Sequence, residues 1–224
     1  MPTAIHLVCS DAPRNGKTLL ARLIADCLLL DGSQPLVLDG AGPQPAISLH
    51  YPAHARLMDL SRTQGMVGLF DDMLQAEKSS VVDLPARHLD GFFSLLEDGA
   101  FLKEAEARTL AFHAYFIIDR DAASFRKARA IWHTSGGNFM PVRNEWLGSY
   151  ADEPQVELNY QEMSEAGELI MPALSAAGLR WLQSPANDFR QVAEYAPHLG
   201  IRPPSELFVF LRQMAGQLAD TGRL

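Results

Sequence analysis

The sequence is poor in cysteine, with two in 224 residues. Cys9 and Cys27 both fall in apolar segments and lack zinc-like spacing, so they are read as small buried thiols of a reducing compartment. Long apolar runs are missing too. No stretch approaches the ~18 uncharged apolar residues of a spanning helix. Met1–His6 has no basic segment leading into an apolar one, so no leader peptide is expected. A cytoplasmic protein with no membrane span follows as the expectation. Positive charge is in deficit: 19 Lys and Arg stand against 27 Asp and Glu, for a formal net charge of −8. That balance gives no support to direct, salt-driven binding of DNA or of an anionic membrane. The seven histidines stand at 6, 50, 54, 88, 113, 133 and 198; His50 and His54 alone share the H-x-x-x-H spacing, and no metal or acid–base role is expected of any of them. There is no internal repeat, low-complexity tract or linker. Residues 1–224 are therefore read as a single domain around one core.

What is present is alternation of strand and helix. Ala4–Cys9 is a short apolar run followed by turn residues, the pattern of a strand buried on both faces of a parallel sheet. Thr18–Leu30 places Leu19, Leu20, Leu23, Ile24, Cys27 and Leu28 at helical spacing, and Asp31-Gly32 ends the run. Pro35–Asp39 is a second buried strand, completing a βαβ unit. Further strands are expected at 55–60, 79–84, 114–119, 138–143 and 168–171, the last within the stretch 155–183. Pro141 weakens the 138–143 reading. Helices are expected at 65–76, 88–96, 101–110, 124–133 and 205–218. The sum is an α/β chain: a doubly wound, mostly parallel sheet of about seven strands with helices on both faces.

The decisive segment is Asp11-Ala12-Pro13-Arg14-Asn15-Gly16-Lys17-Thr18. It has the length and ending of the phosphate-binding loop G-x-x-x-x-G-K-[ST], with Asp11 at the first glycine position. Gly16 permits the bend that turns successive N–H groups toward phosphate. Lys17 reaches the β- and γ-phosphates, and the Thr18 hydroxyl binds Mg²⁺. The helix that opens there directs its positive dipole end at the anion.

With those landmarks the sequence resembles the ParA/MinD partition and positioning ATPases, within the CobQ/CobB/MinD/ParA nucleotide-binding group. Leu36-Val37-Leu38-Asp39 followed by Gly42-Pro43-Gln44 resembles that family's strand ending in aspartate and its Pro-Gln. Val81-Val82-Asp83-Leu84-Pro85 resembles the strand whose aspartate contacts Mg²⁺ through water. Phe116-Ile117-Ile118-Asp119 resembles the next strand, Val142-Arg143-Asn144 the strand whose asparagine lies by the base, and Met171-Pro172-Ala173-Leu174 the segment closing over adenine. The resemblance covers roughly residues 1–180. It implies ATP and Mg²⁺ as cofactors and Lys17, Asp39 and Asp83 as the catalytic set, with Thr18 and Asp83 at the metal. Pro13, Arg14, Asn15, Gly16, Lys17, Thr18 and Leu19 would line the nucleotide phosphates, and Asn144 and Pro172 the base.

The family's variant loop reads K-G-G-x-G-K-[ST], and its first lysine reaches the nucleotide of the partner subunit in a sandwich dimer. Here Ala12 stands at that lysine and Pro13 and Arg14 at the two glycines, so Arg14 is the candidate replacement charge. Gly42 occupies the position of the aspartate that helps orient the attacking water. The expected function is a Mg-ATP-binding switch ATPase resembling DNA-partition, plasmid-transfer or positioning ATPases, with slow hydrolysis and with nucleotide-dependent homodimerisation or protein-partner binding as output. Two alternatives use the same scaffold: a small-molecule kinase or ATP-dependent ligase or synthetase, and a non-catalytic nucleotide-binding scaffold.

Overall fold

The computed structural model describes residues 3–98, 100–148, 160–165, 167–196 and 202–223. Among them seven strands form one sheet: β1 (Ala4–Cys9), β2 (Leu36–Asp39), β3 (Ala55–Leu57), β4 (Ser80–Asp83), β5 (Ala111–Ile118), β6 (Phe139–Asn144) and β7 (Leu169–Met171). The spatial order is β3-β2-β4-β1-β5-β6-β7. Every pairing is parallel, so the expected mostly parallel sheet is wholly parallel among these strands.

A parallel sheet needs cover on both faces, which is why β1 and β4 read as apolar runs and are buried throughout. One face is covered by α1 (Lys17–Leu30), α6 (Ala176–Gln183), α7 (Phe189–Ala193) and α8 (Ser205–Asp220). Leu20, Leu23, Ile24 and Leu28 of α1 meet Phe189, Phe210 and Met214 there. The other face carries α2 (Thr63–Gln75), α3 (Leu89–Asp98), α4 (Phe101–Ala107) and α5 (Ala122–Ser135). Leu69, Phe92, Phe101 and Phe125 fill that second core. No helix among the described residues is long and apolar enough to cross a membrane.

Three departures from the sequence pattern have physical causes. The edge strand stops at Leu57 and does not reach residue 60, because the Asp59 carboxylate accepts from Ser61 N–H and Ser61 Oγ and bends the chain toward α2. β5 begins at Ala111, three residues before the apolar run. His113 interrupts that run in sequence but pairs in register with His6, whose Nδ1 lies 3.2 Å from the Tyr115 hydroxyl. Pro141 is tolerated in β6 because the β7 register starts only at Val142, leaving the proline with a strand neighbour on one side. Two helices escaped the sequence pattern. α6 and α7 are short and are started by side-chain caps, Ser175 accepting from Ala177 and Gly178 N–H and Asp188 from Gln191 N–H. Residues 155–159 and 166 of the stretch 155–183 lie outside the described residues.

β1 is central, with β4 on one side and β5 on the other. The chain leaves its C-terminal end directly into the loop that starts α1. In open α/β sheets ligands gather at that rim, where neighbouring connections diverge to opposite faces.

Candidate nucleotide-binding site

After Cys9 the chain closes a tight loop and enters α1 at Lys17. Two backbone positions are left-handed, Arg14 at φ 60° and Gly16 at φ 104°. Ser10 Oγ ties the loop from inside, accepting from Ala12 N–H at 3.3 Å and from the Asn15 side-chain amide. Helix geometry leaves the opening N–H groups without intrahelical partners. The first backbone N–H to close on Gly16 is that of Leu20, at 3.0 Å. The amides of Lys17, Thr18 and Leu19 therefore stand at the mouth of the loop, with the positive end of the helix dipole behind them.

Lys17 is folded back across that mouth. Its Nζ donates to Ala12 O at 2.5 Å and to Asn15 Oδ1 at 3.1 Å, and only 9% of the residue is exposed. Burial pushes its ammonium below the ordinary lysine pKa, while the carboxylates of Asp83, Asp11 and Asp119 pull the other way. The ammonium is thus held on acceptors of its own loop and away from solvent.

Thr18 and Asp83 meet beside it, the Thr18 hydroxyl donating to Asp83 Oδ2 at 2.6 Å. Burial raises the Asp83 carboxyl to about 6, and the neighbouring Asp39 adds to the rise against the Thr18 hydrogen bond and the Lys17 charge. A divalent cation there would favour the ionised form. The donor set is one hydroxyl and one carboxylate, with no cluster of three ligating side chains among the described residues. That suits Mg²⁺, which keeps several waters and takes phosphate oxygens alongside one or two protein ligands.

No protein-family model matches the sequence, and no curated protein sequence is significantly similar to it. Solved structures do match in shape. A ParA family ATPase from Chlorobium tepidum superposes with a TM-score of 0.56 at 12% identity, covering 97% of this chain and 99% of that one. MinD in the MinC:MinD cell division complex of Aquifex aeolicus gives 0.54 at 14% identity over 97% and 96%. The septum site-determining protein MinD of Pyrococcus horikoshii, complexed with Mg-ADP, gives 0.53 at 14% over 99% and 98%. The chain has the MinD/ParA fold.

Within this MinD/ParA frame the remaining site residues fall in two groups. Pro13 and Arg14 are exposed at the crest of the loop and Leu19 is half-buried behind it. Asn144 and Pro172 stand at the C-terminal ends of β6 and β7. The Asn144 carboxamide is turned to the loop, Nδ2 donating to Asn15 O at 2.8 Å, and its Oδ1 accepts from Trp146 N–H at 3.0 Å. It braces the loop in this structure.

Asp39 ends β2 in register with Asp83. Its side chain is fully buried and accepts four hydrogen bonds: Ala41 N–H at 3.0 Å on Oδ1, and Ala46 N–H, Ser48 N–H and Ser48 Oγ at 2.8, 3.0 and 2.7 Å on Oδ2. Arg87 holds the same connection from outside through Ala41 and Gly42 carbonyls. The carboxylate organises the segment after β2. Asp39→Ala is expected to lower unfolding free energy by about 2–4 kcal/mol by orphaning those donors, measured by urea denaturation. A loss below half a kcal/mol would contradict this anchoring role.

Two residues bear on the loop through contacts that the sequence did not show. Ser124, in the first turn of α5, donates to Asp11 Oδ1 at 2.7 Å while accepting from Asp119 N–H at 2.9 Å. The departure from glycine at position 11 thus has a partner, and the carboxylate is drawn sideways to α5. Met171 packs against Gly16, where an added Cβ would lie 2.6 Å from its Cε. A serine 113 positions away and a methionine in a short strand leave no local signal; only the polar side chain at position 11 hinted that something must receive it.

Proposed function

We propose that this chain, as a single domain, is a Mg-ATP-binding switch ATPase that hydrolyses slowly and uses the bound state to control self-association or a protein partner. The observation that carries the reading is Lys17 lying across a loop whose amides open α1, with the Thr18–Asp83 pair beside it. In this reading the amides of Lys17, Thr18 and Leu19 bind the phosphate oxygens, and the Lys17 ammonium offsets charge shared by the β- and γ-phosphates. Thr18 and Asp83 orient Mg²⁺, which when bound supplies further charge neutralisation during in-line attack by water. Arg14, exposed in left-handed backbone at the crest, is the remaining cation on the loop and would face a γ-phosphate or a docked partner.

Slow turnover fits the engagement of Asp39, whose four hydrogen bonds leave it serving the connection after β2 and not a water. The same anchoring argues that loss of the γ-phosphate would be felt first at Asp83 and the loop, and less at residues 41–48. A switch that acts through a partner accords with the MinC:MinD complex among structures of this fold, a property of that MinD.

Calorimetric titration with ATP, with and without Mg²⁺, and light scattering with a non-hydrolysable analogue test the reading. Magnesium-dependent binding and a nucleotide-dependent rise in mass are expected. No heat at millimolar nucleotide would defeat it. Binding by a persistent monomer that turns over no ATP would leave a nucleotide-binding scaffold.

A further inference from the structure

We propose that Asp26 is a proton-operated clasp: as the neutral acid it closes a hydrogen-bonded chain holding the β2–β3 connection to α1, and as the carboxylate it releases that chain. The clasp lies on α1 about two and a half turns beyond Lys17 and does not depend on what the phosphate loop binds. Asp26 is fully buried. Its Oδ1 lies 2.8 Å from Tyr51 Oη, which lies 3.0 Å from the main-chain oxygen of Arg22. Its Oδ2 accepts from Phe189 N–H at 2.9 Å, which brings α7 to the same point. Tyr51 O in turn accepts from His54 and Ala55 N–H at 3.0 and 2.8 Å, so the residue also sets the entry to β3.

Counting hydrogens decides the protonation. Tyr51 carries one hydroxyl hydrogen, and burial pushes its pKa up so that the hydrogen stays. A carbonyl and a carboxylate can only accept. While Asp26 is ionised, that one hydrogen bridges one of the two gaps, and the other sets two bare oxygens against each other. A neutral Asp26 supplies the second hydrogen: its O–H donates to Tyr51 Oη, and Tyr51 O–H donates to Arg22 O. The surrounding charges permit this. The Arg190 guanidinium stands 3.6 Å from Asp26 Oδ1, but it is engaged by Asp188 at 2.5 and 3.1 Å. The Arg22 guanidinium spends its hydrogen bonds on Leu182 O and Asn187 O at 2.6 and 2.9 Å. His50 is neutral, since burial and the Arg22 charge lower its pKa to about 4. Burial lifts the Asp26 carboxyl to about 6, against the Phe189 and Tyr51 hydrogen bonds and with the Asp188 charge adding to the rise. Ionisation thus falls close to neutral pH.

Carboxyl NMR of the wild-type protein tests the clasp without any substitution. Asp26 is expected to titrate at about 6, and a pKa below about 4.5, within the ordinary carboxylate range, would overturn the proposal. Hydrogen exchange over residues 46–55, corrected for the pH dependence of the exchange chemistry, reads the connection itself. Wild-type protection is expected to fall roughly fivefold between about pH 5 and about pH 7.5, the scale of one hydrogen bond. Asp26→Asn places a permanent donor toward Tyr51 and keeps an acceptor for Phe189 N–H, so its protection should stay at the acid-form level throughout. Tyr51→Phe, lacking the hydroxyl, should give low protection at every pH. Urea unfolding checks the sign. A carboxyl pKa raised by folding favours the native state most in acid. Asp26→Asn should therefore gain on wild type as pH rises from about 4 to about 6 and level off beyond, by roughly 100-fold in the unfolding constant. A wild-type exchange profile flat in pH, or one that persists unchanged in Asp26→Asn or Tyr51→Phe, would refute the clasp.

Discussion

Lys17→Ala is expected to weaken Mg-ATP binding by about 100-fold or more, the scale of two charge-assisted hydrogen bonds to phosphate. Little of that loss should appear as unfolding. The ammonium is buried, and its pKa is already driven down by desolvation, so its removal relieves an electrostatic penalty while forfeiting the bonds to Ala12 O and Asn15 Oδ1. The near-isosteric Lys17→Met keeps the packing of the aliphatic stem and should show the same binding defect. Calorimetry gives the affinity and a thermal melt shows that the variants are folded. A folded Lys17→Ala that binds Mg-ATP within about threefold of wild type, less than a single charge-assisted bond contributes, would remove the basis of the phosphate-loop assignment.

The second large effect is expected at Gly16, and it falls on stability and binding together. At φ 104° an L side chain is strained whatever room it has, and here it has none. An alanine Cβ would lie 2.6 Å from Met171 Cε and 2.9 Å from Asn144 Nδ2. The methionine end can swing aside. Asn144 cannot do so without giving up its bond to Asn15 O. Backbone strain and overpacking together are expected to lower stability by about 2–4 kcal/mol, which for a chain of this size is a fall of roughly 5–15 °C in Tm. Nucleotide binding should be lost as well, since the bend that presents the α1 amides depends on this residue. Gly16→Ala combined with Met171→Ala should recover only part of the stability, because trimming the methionine leaves the φ penalty and the Asn144 contact in place. Calorimetric melting of both variants decides the matter: a Gly16→Ala protein as stable as wild type would show that the loop is not closed in this way.

The sheet was largely legible because its physics is local. β1, β4 and the apolar core of β5 are runs that must be covered on both faces, and α1 announces itself by the spacing of Leu20, Leu23, Ile24 and Leu28. Legibility failed where tertiary partners decide. His113 belongs to β5 through its register with His6, whose ring lies 5.5 Å away, and the start of that strand was missed by three residues. The loop itself could be placed by Gly16-Lys17-Thr18, since bend, ammonium and hydroxyl are each required by phosphate chemistry. Roles resting on where a side chain points were harder to read. Asp39 sits in register with Asp83 on adjoining strands, so the sequence cannot separate a carboxylate facing the loop from one turned into its own connection. Asn144 was placed by the nucleotide base through resemblance, whereas its bracing of Asn15 requires contact across 129 positions.

The mooring of Lys17 to its own loop has a consequence for how a ligand would be captured. The freezing of the lysine's rotatable bonds has been completed during folding, so an arriving anion meets a finished receptor and displaces water without recruiting a floppy chain. Capture at such a receptor proceeds at the pace of encounter, and differences in affinity between ligands are then written in how long each one stays.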